Sequence, residues 1–356
     1  MRPSDRMENI TCIPGTPFNA VVINATILKM INAPVAPLDY PAWDIALKVL
    51  FYIVAMLTDI IGNSIVLLII ALNKKMRTTT NVLILNLAVS DLMVASFCMW
   101  VHLGNKVTDN WPFGSFMCKF NAFTQVMSLT ASVLTLTVIS VERLIAVAYP
   151  FRQHWSPTVS AIIVVCTWIA AIATASPHLF VRKQYEIRWK DRTDTYCAES
   201  WRYYYKDTAC NRWQPGKFVY YLVEGIVMYF VPVTIMIVAY AVIAIKLLIR
   251  GTPGSHANSS SNQERSKKKV TKMLAVVLVA FISCWTPQQI LLLYEVFYNP
   301  VQTDVYTAIR YAALFVAYCN SALNPILYGG FNENFRKGFH EAFTCILIQK
   351  RNRIGA

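Results

Sequence analysis

The sequence predicts an all-α membrane protein, a seven-transmembrane helix bundle followed by a short amphipathic eighth helix. Three observations lead there. Of 356 residues, 56% are hydrophobic and 15% charged, whereas soluble domains carry about 25% charged residues. The apolar residues gather into seven long stretches, near 44–72, 80–103, 115–149, 157–180, 217–248, 270–298 and 304–329, and each reaches the ~20 residues that cross a hydrocarbon core. Every stretch also holds a residue that hydrocarbon should reject: Asn63, Asp91, Arg143, Trp168, Pro232, Trp285 with Pro287, and Asn324 with Pro325. Such residues persist in a bilayer when they face the interior of a bundle.

A tail over residues 1–43 precedes the bundle of 44–329, and its Pro14, Pro17, Pro34 and Pro37 break any helix. No short apolar run follows a basic start, so the first span is expected to serve as its own targeting signal. The sequons at Asn9 and Asn24 suit a glycosylated tail outside the cell. Loops on the other side hold Lys74, Lys75 and Arg77, then Arg250, Arg265, Lys267, Lys268 and Lys269, and Arg336 with Lys337 follow the last span. The positive-inside rule then puts the N-terminus outside and the C-terminus in the cytoplasm of a multi-pass plasma-membrane protein. The 181–216 loop dissents, with Arg182, Lys183, Arg188 and further cations on the outer side, tempered by Glu186, Asp191, Asp194, Glu199 and Asp207. A net charge of +14 thus divides between an inner face suited to anionic inner-leaflet lipid and a mixed outer loop. It does not indicate nucleic acid.

Within the spans, Asp91 needs partners for its charged form; Asn63, Ser321 and Asn324 are candidates, with water or a cation. A protonated Asp91 serving as a hydrogen-bond hub is the alternative. Asp59 is expected to make a buried hydrogen bond. Pro232, Pro287 and Pro325 each remove a backbone hydrogen bond and loosen their helices, and Pro287 follows Trp285 and Phe281 closely enough for pressure on Trp285 to pivot the helix. Arg143 lies 18 residues beyond Gln125, about 27 Å along one helix at the α-helical rise. Residues 251–262 read as a flexible linker. After the last span, Phe331, Phe335, Phe339 and Phe343 recur every four residues with Arg336, Lys337 and His340 between them, so residues 330–356 are expected to form an amphipathic helix with its aromatics in the membrane interface, then a short cytoplasmic tail. Cys98, Cys166, Cys284 and Cys319 read as packing residues, and Cys345 as a palmitoylation site. Cys12, Cys118, Cys197 and Cys210 remain on the oxidising side, where sequence leaves three pairings open.

Gly62-Asn63, Leu87-Ala88-Val89-Ser90-Asp91, Glu142-Arg143-Leu144, Trp168, Pro232 with Tyr240, Phe281-x-x-Cys284-Trp285-x-Pro287 and Asn324-Pro325-Ile326-Leu327-Tyr328 fall one per span and in order. Over residues 45–345 the chain resembles the rhodopsin-like G-protein-coupled receptors. That resemblance implies a heterotrimeric G protein and arrestin as partners, and no cofactor beyond a sodium ion held by Asp91, Asn63, Ser321 and Asn324. It implies a Cys118–Cys197 disulfide tying the long loop over a pocket; Cys12 and Cys210 would then form a second bridge or stay unpaired. It also implies that Arg143, restrained by Glu142 at rest, joins the G-protein site as helix six moves and Tyr240 and Tyr328 turn inward. Gln125 stands where amine receptors carry Asp, and Tyr318 where a retinal-binding lysine would sit. With the long loop and Trp111-Pro112-Phe113-Gly114, the chain looks most like receptors of the neuropeptide Y, neuropeptide FF and orexin kind.

An extracellular neuropeptide is accordingly the expected ligand, with a lipid or other small apolar ligand as the runner-up. Gln125, Glu224, Gln288, Gln289, Trp285 and Arg310 are the candidate contacts. Glu224 lies two turns above Pro232 in apolar surroundings; it either receives an Arg, Lys or amine of the peptide, or is protonated or paired within the protein. Arg310 and Glu295 are expected at the rim. Enzymatic chemistry is not expected: His340-Glu341 lacks the second histidine of a zinc protease, and no G-x-S-x-G occurs. Neither repeated halves nor a continuous polar path suggests a transporter. Lys267 stands where some members carry an acid, so Arg143 has no salt bridge to that position. Cells expressing the chain should therefore show basal guanine-nucleotide exchange above that of untransfected cells; equal basal rates would contradict this.

Overall fold

The computed structural model describes residues 41–73, 76–108, 110–149, 155–188, 193–205, 212–250, 261–298, 300–301 and 303–354. Its helices are α1 (Ala42–Leu72), α2 (Thr79–Val107), α3 (Gly114–Ala148), α4 (Pro157–Ala175), α5 (residues 215–250), α6 (Ser261–Tyr298), α7 (Asp304–Phe331) and α8 (Glu333–Ile354). Six stretches, in α1, α2, α3, α4 with the turn after it, α5 and α6, are long and apolar enough to cross a membrane. α7 is 28 residues long, and its polar Asn320, Ser321 and Asn324 are buried. Helix starts follow their local chemistry: the side chains of Thr78, Ser156 and Thr303 accept from the backbone N–H groups of Asn81, Val159 and Tyr306, capping donors that have no intrahelical acceptor.

The core gathers Val66 of α1, Leu83 and Leu87 of α2, Leu136 and Ile139 of α3, Met236 of α5, Phe281 and Trp285 of α6, and Tyr328 of α7. Apolar residues also cover the outside, including Leu57, Ile61, Val165, Ile169, Val227 and Ile237. A bundle in hydrocarbon has no polar exterior to set against an apolar interior, and its inward faces are recognised by their polar and small residues instead.

Two helices contain π-helical stretches that the sequence reading did not anticipate, Ala95–Met99 in α2 and Val223–Phe230 in α5. The second runs up to Val231, next to Pro232. Proline has no N–H to offer the carbonyl four residues back and its ring crowds that carbonyl, so the turn before it widens. Nothing in the sequence explains the first.

The loop after α4 contains strands, also unforeseen. β1 (Arg182–Arg188) pairs antiparallel with β2 (Thr193–Glu199), with Arg182 opposite Glu199 and Gln184 opposite Cys197, while β3 (Tyr204–Tyr205) pairs with β4 (Arg212–Trp213). α4 ends at Ala175, and the turn His178–Val181 leads into β1.

Phe335 is fully buried against Tyr328, with ring centroids 5.6 Å apart, and Phe339 packs on the core, so two of the four aromatics expected in the membrane interface turn to the bundle instead, while Phe331 is exposed. A Cβ at Gly338 would sit 2.7 Å from Ile69 of α1, so a glycine there lets α8 approach. Lys269, expected at lipid headgroups, pairs with Glu333 of α8 at 2.6 Å. The side chains of Lys267 and Cys345 lie outside the described residues, as do Asn9, Cys12, Asn24 and Cys210.

Gly62 lets α1 approach α7 closely: a Cβ there would lie 2.6 Å from the Pro325 Cβ, a separation that requires the chain to shift. Gly62→Val should destabilise the bundle by about 1–3 kcal/mol through overpacking, read as a lower melting temperature of the purified protein in nanodiscs. An unchanged melting temperature would show that α1 moves freely.

Candidate functional site

At the end of the bundle near β1 and β2 lies a cavity of about 380 Å³, lined by α3, α5, α6, α7, the turn after α4 and the hairpin. The hairpin is held over it. Cys197 of β2 is disulfide-bonded to Cys118 of α3, with Cα atoms 5.5 Å apart. Trp111 donates its backbone N–H to Thr195 at 2.8 Å, and the Thr195 hydroxyl returns a bond to the Trp111 carbonyl at 2.9 Å. The Trp111 indole reaches the carbonyl of Gly114 at 2.8 Å, and Gly114 has φ +75°, the left-handed region that glycine enters without strain. Trp111-Pro112-Phe113-Gly114 is therefore a clamp for the lid.

Of the sequence-derived contacts, Gln125, Glu224, Gln288 and Arg310 line this cavity; Gln289 and Trp285 do not. Consecutive residues point about 100° apart around a helix, which separates Gln288 from Gln289. Trp285 is buried with Phe281 beneath the cavity, at 6.4 Å between ring centroids. Gln125 accepts a hydrogen bond from the Tyr318 hydroxyl at 3.1 Å. Arg310 pairs with Glu295 at 3.0 Å, as expected.

The sequence reading missed His178, Arg182, Glu199, Lys217 and Tyr221 as cavity residues. The hairpin register sets Arg182 opposite Glu199, a pairing with no trace in sequence order, and His178, Lys217 and Tyr221 join them from the turn after α4 and from α5. Glu199 accepts from Arg182 at 2.8 Å, from the Tyr221 hydroxyl and from the Trp201 indole at 2.8 Å, and lies 3.9 Å from Lys217. Burial opposes its ionisation, but the Arg182 guanidinium, joined by Tyr221, Lys217 and Trp201, outweighs it and holds the carboxyl below its ordinary range.

A polar hub lies deeper. Asn324 donates to Asp91 at 2.8 Å, and Asn63 donates to the Asp59 carboxylate at 2.7 Å and the Ser321 carbonyl at 3.1 Å. Asp59, Asn63, Asp91, Ser321 and Asn324 are all buried, and the hub gives Asp59 the hydrogen bond expected of it. Asp59 Oδ2, Asn63 Oδ1 and Asn324 Oδ1 have no partner. Oxygens of this kind suit a hard cation such as sodium. A second link ties three helices: Asn86 donates to Thr135 at 2.8 Å and accepts from the Trp168 indole at 2.7 Å.

At the far end, Arg143 donates to both oxygens of Glu142, at 2.5 and 2.7 Å, and to the Thr80 hydroxyl at 2.5 Å. Thr80 was not foreseen as a partner. Tyr240 reaches the Ser140 side chain beside Arg143, and Tyr328 is fully buried. Pro287 borders an outward groove between α6 and α7, and Pro325 packs on Gly62.

The sequence profile of the "7 transmembrane receptor (rhodopsin family)" matches residues 62–328. The chain belongs to the rhodopsin-like receptor family. Neuropeptide FF receptor 2 of Mus musculus is 33% identical over 314 residues, which cover 84% of this chain and 72% of that receptor. The Substance-K receptor of Mus musculus is 31% identical over 315 residues, 87% of this chain and 79% of that one. The QRFP-like peptide receptor of Branchiostoma floridae is 32% identical over 302 residues, 83% and 77%. Members of this family are receptors, not enzymes.

Because the Glu199 carboxyl is depressed when folded, its contribution to stability is complete above the unfolded value of about 4.3 and is lost as pH falls through the folded value. The melting temperature of the wild type should exceed that of Glu199→Gln most at neutral pH, and the gap should close in acid below the ordinary carboxylate range. A gap independent of pH would contradict this.

Proposed function

We propose that this receptor binds an extracellular peptide at the lidded cavity and passes the signal to a heterotrimeric G protein at the Arg143 end. The observation that carries the reading is Glu224: a buried carboxylate lining the cavity, with Oε2 unpartnered. A buried, unpaired carboxylate is costly, so the cavity favours a ligand that brings a cation. The three relatives named above, a neuropeptide FF receptor, a substance-K receptor and a QRFP-like peptide receptor, support the peptide class. The lining, rich in charged groups and glutamines, disfavours the lipid or small apolar ligand. A cavity of about 380 Å³ falls at the small end of the ligand-pocket range of roughly 300–1,000 Å³, and so admits the end of a peptide while the remainder rests on the lid.

The ligand's inner end would press towards Trp285 and Phe281 and bend α6 at Pro287. The inner half of α6 then swings, Arg143 leaves Glu142 and Thr80, and a G-protein site opens, to be taken later by arrestin. Sodium at Asp91 favours the resting state. In this reading the N-terminal tail is outside and glycosylated at Asn9 and Asn24, Cys12 bridges to Cys210, and Cys345 carries a palmitoyl chain beside anionic inner-leaflet lipid.

The test is a panel of amidated neuropeptides applied to membranes containing the receptor, with binding of a non-hydrolysable GTP analogue as readout. At least one peptide should raise exchange, and Arg143→Gln should abolish the rise while leaving peptide binding. Failure of every peptide, or full exchange in Arg143→Gln, would overturn the reading.

A further inference from the structure

Three cations and three carboxylates line the cavity, but they are unevenly paired. Arg182 and Lys217 both face Glu199, at 2.8 and 3.9 Å, and Arg310 faces Glu295 at 3.0 Å. Each of these cations lies on another carboxylate; among the described residues Glu224 forms no ion pair, and Arg182 acts on it only from a distance. The Tyr220 hydroxyl bonds the Glu224 side chain and also lies 3.0 Å from the Thr174 carbonyl; its single proton serves one of the two, and Oε2 of Glu224 is left without a partner.

Two more polar groups lining the same cavity are unpartnered. Gln288 Oε1 is buried without a donor, and neither ring nitrogen of His178 has a partner, although His178 is only 2% exposed. The His178 ring is held edge-on to Tyr220, with centroids 5.3 Å apart at 89°. Glu224 stands on α5, Gln288 on α6 and His178 on the turn after α4, so three separate elements present acceptors to one space.

We infer that this end of the cavity is a guanidinium subsite, which receives an arginine side chain of the ligand in preference to a lysine. The inference rests on the peptide-receptor reading and narrows it. A guanidinium is planar, carries five N–H donors in a fixed fork, and sheds water more readily than an ammonium. Its fork serves the Glu224 carboxylate side-on and leaves N–H groups directed at Gln288 and at one nitrogen of neutral His178. An ammonium is a compact, strongly hydrated point charge whose three donors diverge from a single nitrogen, so it gives up its water less readily and does not match the carboxylate side-on.

Two monovalent probes of equal chain length, n-butylguanidinium and n-butylammonium, isolate this chemistry from the rest of a peptide. Binding to the purified receptor in nanodiscs is read by saturation-transfer NMR. Butylguanidinium should bind about tenfold more tightly, Glu224→Gln should lose that binding, and His178→Phe should narrow the preference while keeping some affinity. Equal affinities of the two probes for the wild-type receptor would overturn the inference without reference to any variant. So would a Glu224→Gln receptor that melts like the wild type and still binds butylguanidinium. A receptor that responds to an amidated peptide but does not prefer the guanidinium probe refutes the subsite alone. One that prefers it through Glu224 yet answers no peptide keeps the subsite and refutes the peptide reading.

Discussion

The rest of this bundle depends on one constraint: hydrocarbon provides no hydrogen-bond partners, so every interior polar group must be answered from within the protein. Asn63 answers Asp59 and the Ser321 carbonyl, and Asn324 answers Asp91, which ties α1, α2 and α7 at one level. Asn86 between Thr135 and Trp168 does the same for α2, α3 and α4. Smaller hydroxyls return to their own helix, as Thr135, Thr137, Ser140 and Thr174 do to carbonyls four residues earlier. What is left over after this answering is informative. The unpartnered oxygens of the hub and the unpartnered Glu224 Oε2, Gln288 Oε1 and His178 ring nitrogens of the cavity are where the protein is incomplete by itself.

The helix breakers are placed with respect to that scheme. Pro325 rests on Gly62, where only a glycine admits it, so the seventh helix is both weakened and held. Pro232 follows a widened stretch of α5 that carries Glu224 at its start and Tyr229 near its end. Tyr229 bonds Thr286 of α6 at 2.9 Å and packs against Phe281, and Phe281 against Trp285. A chain of aromatic contacts thus runs from beneath the cavity towards the Arg143 end, through helices whose backbone ladders are interrupted.

The lid is a different kind of structure. It is a hairpin whose register aligns Arg182 with Glu199 and whose position is fixed by the Cys118–Cys197 bridge and the Trp111–Thr195 bonds. Its Arg182 lies on Glu199 and not on Glu224, Lys217 of α5 also faces Glu199, and Oε2 of Glu224 is left without a partner.

The sequence by itself determined the order and approximate limits of the long helices, since hydropathy over about 20 residues reports directly on the solvent a segment can tolerate; α7, with its buried Asn320, Ser321 and Asn324, is the expected span that hydropathy does not mark. It also determined which interior residues carry the hub and the Glu142–Arg143 pair, because a polar residue inside an apolar run has so few places to go. It could not decide which lid charges face the cavity, that Thr80 would join Arg143, that α2 and α5 would widen into π turns, or that Phe335 would insert beneath Tyr328. Those outcomes depend on strand register, on the rotation of one helix against another and on contacts between residues far apart in the chain. Gln288 and Gln289 are adjacent in sequence and equally polar, and only the packed rotation of α6 turns the first of them into the cavity.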